Sequence, residues 1–216
     1  MQDRSKGNSI KNILIAHYRV GHTDGVSLEI EKRSRVLKKM GHHVYLLSGP
    51  LQHVADFVIP ELEYDQDPIA RLRKNTVEEC TDYSSGEELK TSLFSIADKI
   101  EQELYQIFDR FSFDAVYIHN MLSMAVNLPA SIALVRALRK YGISSIGLHH
   151  DFYWAGDFST TPTFPFVEDI IRDYLIPQDE SFRHLVINSI DRDRMEQSFG
   201  IRPEINYDVF DFEGID

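Results

Sequence analysis

Short runs of apolar residues alternate along this chain with stretches whose apolar positions recur at helical spacing. Residues 13–16 (ILIA) form the first short run, and Val26, Ile30, Leu37 and Met40 then fall on one face of a helix. Short apolar runs are typical of buried parallel strands, whereas recurrence every three or four residues is typical of helices. The alternation predicts βαβ units, in which helices connect parallel strands and cover both faces of the sheet.

The rest of the chain continues this alternation. Further strands are predicted at residues 43–48, 57–59, 115–118, 143–148, 185–187 and 205–210, and further helices at residues 89–111, 132–141, 166–175 and 191–199. The acidic, irregular residues 61–86 predict a surface excursion with room for one short helix. The predicted fold class is therefore α/β, a Rossmann-like parallel sheet of six or seven strands with helices on both faces.

Composition and charge exclude several classes of protein. The 23 Lys and Arg against 34 Asp and Glu give a net charge of −11, which disfavours a nucleic-acid partner. Cys80 is the only cysteine, so neither an intramolecular disulfide nor a thiolate metal cage can form. Residues 1–12 are polar and no eighteen apolar residues run together, which predicts no secretory signal and no transmembrane segment. We expect a cytoplasmic protein, with peripheral docking at a membrane surface as the open alternative.

Polar residues follow several of the predicted strands. His17 follows the first strand, His119 and Asn120 follow the strand at residues 115–118, and the sequence HHD occupies residues 149–151. In open α/β sheets, ligands bind beyond the carboxyl ends of the strands. The sequence therefore predicts a polar crevice at this edge of the sheet.

The loop at residues 21–27 (GHTDGVS) leads into the first predicted helix. The free N–H groups and the positive dipole end of that helix could receive a phosphate. The loop matches neither the dinucleotide-binding glycine pattern nor a Walker motif. A plain glycine turn, capped by Ser27 or Asp24, is therefore the alternative interpretation.

The HHD segment and the aromatic residues after it suggest a binding pocket. Side chains alternate along extended backbone, so one of His149 and His150 should face the crevice while the other packs inward. No second cluster has metal-ligand spacing, which disfavours a metal site, and no cofactor is expected. Tyr153 and Trp154 can form an aromatic wall against a sugar ring, with core packing as the alternative.

The order of these motifs resembles the N-terminal domain of retaining GT-B glycosyltransferases of family 4. The segment HHDFYW is most similar to enzymes that resemble mannosylglucosylglycerate synthases. The matching segments span nearly the whole chain and read ILIAHYRVGHTDGVSLEIEKRSRVLKKMGHHVYLLSG, DAVYIHN, GLHHDFYW and LVINSIDRDRMEQSFGI.

The resemblance implies metal-independent transfer of a hexose from a nucleotide-sugar to an acceptor hydroxyl, with retention of configuration. It implies that Gly25, Val26 and Ser27 lie near the donor phosphates and that His150, paired with Asp151, contacts the donor sugar. The expected acceptor-side residues, for a sugar, glycerate-type or lipid-linked acceptor, are His17, His119, Asn120, Tyr153 and Trp154.

The resemblance also defines what residues 1–216 would lack. The nucleotide-sugar-binding C-terminal domain of the family would lie outside this chain, so we expect the chain to need that domain in cis or in trans. Without it, no transferase activity is expected. Two alternatives stay open: a non-catalytic domain that binds a sugar or nucleotide in the same crevice, and a small-molecule enzyme of flavodoxin-like architecture.

Overall fold

A parallel β-sheet forms the centre of the computed structural model, which describes residues 9–50 and 54–208. Its seven strands in these ranges are β1 (Asn12–Ala16), β2 (His43–Ser48), β3 (Phe57–Val58), β4 (Ala115–His119), β5 (Ser145–His149), β6 (Phe182–Val186) and β7 (Glu204–Ile205). They lie in the order β3-β2-β1-β4-β5-β6-β7, and every neighbouring pair is parallel. The prediction of a Rossmann-like parallel sheet of six or seven strands is confirmed.

Helices cover this sheet on two sides. Over the described ranges they are α1 (Gly25–Lys39), α2 (Ile69–Val77), α3 (Gly86–Arg110), α4 (Leu128–Tyr141), α5 (Pro165–Tyr174) and α6 (Ser189–Phe199), with 3₁₀ turns at Pro60–Leu62 and Gly156–Phe158. The connections from β1 to β2 and from β4 to β5 run in opposite directions across the sheet. Right-handed crossovers therefore place α1 and α4 on opposite faces.

Packing on both faces of the central strand β1 explains why residues 13–16 are all apolar. Ile13 and Ile15 pack against Ile30 of α1, whereas Leu14 and Ala16 belong to the cluster that α3 and α4 form on the other face. Successive side chains of a strand point to opposite faces, and here both faces are covered. Residues 13–16 of this central strand therefore leave no position for a solvated side chain.

The ends of α4 are set by residues that the sequence identifies. The side chain of Asn127 accepts a hydrogen bond of 3.1 Å from the N–H of Ala130, and Pro129 occupies the first turn. At the other end Gly142 adopts φ 63°, a left-handed conformation that glycine accepts without strain. The helix begins at Leu128, four residues before the predicted start at residue 132, and ends at Tyr141 as predicted.

The last strands differ most from the sequence prediction. β6 begins at Phe182 instead of residue 185, because exposed Arg183 and buried His184 interrupt the apolar run that would have marked it. β7 is only Glu204–Ile205, so the predicted strand at residues 205–210 is wrong from 206 to 208, and residues 209 and 210 lie outside the described ranges.

The remaining differences are at strand and helix ends. β5 begins at Ser145, two residues after the predicted start, because Ile143 packs in the core without pairing in the sheet. The excursion at residues 61–86 contains one helix, α2, as predicted.

Candidate functional site

A crevice of about 520 Å³ lies where β1, β4 and β5 end. Ligands of open parallel sheets bind at this edge. Its lining residues are His17, Tyr18, Arg19, His22, Thr23, Asp24, Gly25, Val26, Tyr64, Asn120, Met124, His150, Asp151, Phe158, Ile187 and Asp208. The fold thus brings together six of the ten residues singled out from the sequence: His17, Gly25, Val26, Asn120, His150 and Asp151.

The two adjacent histidines after Leu148 face different environments. His149 is completely buried, and its Nε2 lies 2.9 Å from Nδ1 of His184. Nε2 of His184 lies 2.8 Å from the carbonyl oxygen of Pro177, which can only accept, so that nitrogen carries the proton. Nδ1 of a neutral His184 must then accept, and Nε2 of His149 donates to it. His149 is a core residue, held in one tautomer.

His150 instead forms part of the crevice wall. Its imidazole is 7% exposed and stacks on the ring of His119, with 5.6 Å between the ring centroids. Nδ1 lies 3.5 Å from a carboxylate oxygen of Asp208, while Nε2 is buried with no hydrogen-bond partner among the described residues. Burial lowers the pKa of His150, although the carboxylates of Asp208 and Asp151 oppose that shift. His150 is therefore a neutral imidazole at pH 7, and its Nε2 has no hydrogen-bond partner among the described residues.

Asn120 holds the turn that carries His150. Its Oδ1 accepts hydrogen bonds from the N–H of His150 at 2.7 Å and from the N–H of Asp151 at 3.2 Å. Its Nδ2 donates to the Asp151 carboxylate at 2.9 Å. The side chain predicted to contact an acceptor is thus already engaged in organising the crevice wall.

His17 and His119 are both buried at the ends of neighbouring strands. Nδ1 of His17 lies 3.0 Å from the carbonyl oxygen of His119 and must donate to it, which leaves Nε2 of His17 as the acceptor on a ring that lines the crevice. Burial lowers the pKa of His17 to about 4. Burial and the neighbouring His150 lower the pKa of His119 well below its usual value. His119 does not line the crevice but forms the surface on which His150 stacks.

In the loop that leads into α1, polar side chains form hydrogen bonds to nearby groups of the same segment. The Asp24 carboxylate accepts from the N–H of Ser27 at 2.8 Å, and the Ser27 hydroxyl donates to the carbonyl of Arg19 at 2.8 Å. Asp24 is therefore the cap, one of the two considered from the sequence, and Ser27 lines a different cavity. Gly25 is exposed, and a Cβ built on it would meet no atom within 4 Å.

Sequence reasoning missed the residues that form the opposite wall. The guanidinium of Arg19 lies 4.0 Å from the centroid of the Tyr64 ring and donates to both carboxylate oxygens of Glu63 at 2.6–3.2 Å, and it also pairs with Asp65. Arg19 could have been suspected, because it lies between His17 and the glycine loop. Tyr64 and Asp208 carry no such signal, since only the tertiary fold brings them to the crevice.

Tyr153 and Trp154 lie outside the crevice lining. Trp154 stacks on Phe152 with 4.4 Å between ring centroids and packs near Phe199. Tyr153 packs against the cluster beneath α5. Both therefore pack within the fold, which was the alternative considered for them.

Other features of the described chain do not converge on this crevice. A larger cavity of about 820 Å³ runs along α1 and is bordered by Val54, next to the undescribed residues 51–53. In the described ranges, no group of three or more His, Cys, Asp or Glu side chains could hold a metal ion. None of the helices described is both long and apolar enough to cross a membrane.

The fold and the crevice together define a Rossmann-like domain with a polar crevice at the carboxyl edge of its sheet. The chain is 32% identical over 198 residues to the mannosylglucosylglycerate synthase of Petrotoga mobilis, which covers 92% of this chain and 45% of that relative. It is 28% identical over 202 residues to the mannosylglucosylglycerate synthase of Thermotoga maritima, again 45% of the relative and 93% of this chain. No family model matches the chain.

These relatives and the parallel sheet confirm the resemblance to the N-terminal domain of a GT-B glycosyltransferase. The similarity to these two synthases extends over more than nine tenths of this chain. The chain spans a little under half the length of the curated relatives it matches.

Proposed function

We propose that this chain is the acceptor-side domain of a GT-B enzyme that transfers a hexose from a nucleotide-sugar to an acceptor hydroxyl with retained anomeric configuration. The observation that carries the proposal is that the glycine loop and the His150–Asp151 turn line one crevice. Gly25 and Val26 come from the connection after β1, and His150 and Asp151 from the connection after β5. A donor that bridges both connections would place its phosphate and its sugar ring on different elements.

His150 is the residue proposed to orient the donor sugar. Its Nε2 is buried and unpaired, so a sugar hydroxyl placed there would satisfy a ring nitrogen that otherwise has no partner in the described chain. Burial favours the neutral ring, and a neutral ring keeps one nitrogen as an acceptor. Asp151 lines the same crevice and supplies a second acceptor.

The loop at Gly25 is proposed to lie against the donor phosphates. The N-terminus of α1 presents backbone N–H groups and a positive dipole end, which favour negative charge. The space around Gly25 is open, so a phosphate oxygen can approach the backbone closely. The carboxylate of Asp24 at the same helix end opposes this attraction, which predicts that the loop contributes modestly to affinity.

A glycerate-type acceptor is favoured over a lipid-linked one. The relatives' names describe a product that carries a mannosyl and a glucosyl group on glycerate. The crevice wall contains His17, whose ring keeps one acceptor nitrogen, together with Arg19 and Tyr64, whose guanidinium and aromatic ring contact each other. Such a wall suits a sugar ring and the hydroxyl groups around it.

The remaining nucleotide contacts are proposed to come from a second domain, in cis or in trans. We expect residues 1–216 alone to bind a nucleotide-sugar weakly and to transfer nothing. The test is calorimetry on this chain, followed by a transfer screen with and without the second domain in the presence of EDTA. Tight stoichiometric donor binding to residues 1–216 would overturn the division of labour. Sugar binding without transfer in the two-domain protein would instead favour a non-catalytic binding domain.

A further inference from the structure

Asn120 has an unusual backbone conformation at the point where β4 meets the crevice. Its φ is 59° and it is 2% exposed. Left-handed backbone is uncommon outside glycine, and asparagine tolerates it better than most residues. The N–H of Asn120 donates to the carbonyl of Leu148 at 3.0 Å, which ties the residue to the neighbouring strand β5.

This conformation directs the whole carboxamide at one turn. Its Oδ1 accepts hydrogen bonds from the backbone N–H groups of His150 and Asp151. Its Nδ2 donates to the Asp151 side chain. A carboxamide oxygen has two lone pairs, so the oxygen is fully used. A ligand in the crevice can therefore meet only the remaining N–H of this side chain.

We propose that Asn120 is the positioning residue of the crevice, because its carboxamide fixes the turn that presents the His150 ring and the Asp151 carboxylate. For the identity of the ligand, this inference rests on the proposed function. The geometry itself does not depend on it. Asn120 acts through the turn, and the acceptor contact that the sequence suggested stays a separate prediction.

The chemistry of the side chain explains why asparagine is needed. Aspartate offers two acceptor oxygens to the N–H groups but has no donor for Asp151 and places a second carboxylate beside it. Alanine offers neither, which leaves two N–H groups without their acceptor. Only a carboxamide of this length supplies an acceptor to the backbone and a donor to the carboxylate at once.

Two variants and a matched control test this role. Asn120→Ala removes all three hydrogen bonds, and Asn120→Asp removes only the one to Asp151. Asn127→Asp is the control, because Asn127 is also buried and also donates from Nδ2, to the carbonyls of Glu61 and Leu62 at 2.8 and 3.2 Å, away from the crevice.

The first measurement is hydrogen exchange of the His150 and Asp151 amides in this chain, followed by NMR. We expect Asn120→Ala to speed exchange at both amides by about tenfold or more, since each loses its acceptor. Asn120→Asp should keep the protection, because a carboxylate still accepts. Unchanged exchange in Asn120→Ala would overturn the proposal, as would faster exchange spread equally over the whole sheet.

The second measurement is the titration of the His150 ring, which a purely structural role would not move. Asn120→Asp adds a carboxylate beside the turn and should raise the pKa of His150, since nearby negative charge favours the protonated ring. The control Asn127→Asp should leave that pKa unchanged. Equal shifts in the two variants would overturn the proposal.

The third measurement is sugar transfer by a protein that contains the second domain. Asn120→Ala should lower kcat by about tenfold or more, because the His150 ring loses its orientation. If the unaltered two-domain protein transfers no sugar, the proposed function fails, whereas exchange and titration still decide the positioning role.

Discussion

The loop before α1 and the turn after β5 reach the same crevice but leave different chemistry available. In the loop, the Asp24 carboxylate accepts from the N–H of Ser27, and the Ser27 hydroxyl donates to the carbonyl of Arg19. In the turn, the side chain of Asn120 accepts a hydrogen bond from the backbone N–H of His150. The ring nitrogen Nε2 of His150 has no hydrogen-bond partner among the described residues. The loop is self-capped, whereas the turn is held by Asn120 and keeps a ring nitrogen that has no partner in the described ranges.

The difference teaches that position after a strand is not enough to identify a binding residue. Both segments follow buried strands and both contain polar side chains. What separates them is whether neighbouring residues have already taken up their hydrogen-bonding atoms. The predictions that follow test this contrast, from the largest expected effect to the smallest.

The largest effect is expected for His150→Ala in a protein that carries the second domain. Loss of the orienting hydrogen bond should reduce turnover about tenfold to a thousandfold, which corresponds to about 1.4–4 kcal/mol of transition-state stabilisation. The fold should also lose some stability, because the His150 ring is only 7% exposed and stacks on His119. Turnover per folded molecule and the Tm should be measured together. A lowered Tm with intact turnover would assign His150 to the core instead.

His149 should show the opposite behaviour. His149→Leu removes the donor to Nδ1 of His184 and leaves that nitrogen buried and unpaired. We expect the free energy of unfolding to fall by about 1–3 kcal/mol, with turnover per folded molecule nearly unchanged. Urea denaturation measures the loss, and His43→Leu on the exposed start of β2 is the control. A kinetic defect without destabilisation would reverse the roles of the two histidines.

The contrast between these neighbours was partly predictable. Alternation along extended backbone requires His149 and His150 to face opposite sides, but the direction of each depends on what lies there. The core partner of His149 is His184, which lies on β6. The start of β6 could not be predicted, because Arg183 and His184 interrupt its apolar run. The parallel sheet itself could be predicted from the sequence, because strands that are buried on both faces have continuous apolar sequences.

The position of the crevice could be predicted from the sequence, but the roles of its individual residues could not. Its position follows from where the strands end, which the sequence shows. The role of Asn120 depends on a left-handed φ and on partners 30 and 31 residues away, and neither leaves a local pattern. Tyr64 and Asp208 enter the crevice only through the packing of distant segments.

The buried histidines behind both segments should make the fold sensitive to acid. Burial lowers the pKa of His17 to about 4 and lowers the pKa of His149 and His184. The unfolded chain binds protons at these sites near pH 6.5, before the folded chain does. Stability should therefore fall as pH drops below about 6.5, by up to about 1.4 kcal/mol per pH unit for each histidine.

Urea unfolding between pH 7 and pH 4.5 measures this slope. His149→Leu should make the slope shallower, because one site that protonates on unfolding is gone. For His17 the loss should level off near pH 4, where the folded chain also binds the proton. A slope that His149→Leu leaves unchanged would show that His149 does not titrate on unfolding.

The smallest effect is expected at the self-capped loop. Asp24→Asn keeps an oxygen that can accept from the N–H of Ser27 but removes the negative charge at the N-terminus of α1. Stability should fall by about 0.3–1 kcal/mol, because that charge favours the helix dipole. Binding of the nucleotide-sugar should become tighter by about fivefold or less, since a carboxylate near the proposed phosphate position repels it. Glu168→Gln, which removes an exposed acid from the first turn of α5, is the matched control and should lower stability without changing donor binding. Calorimetry with the two-domain protein separates the two effects. If Asp24→Asn weakens donor binding instead, Asp24 contacts the donor directly and the loop is a binding element in its own right, which would remove the contrast with the His150 turn.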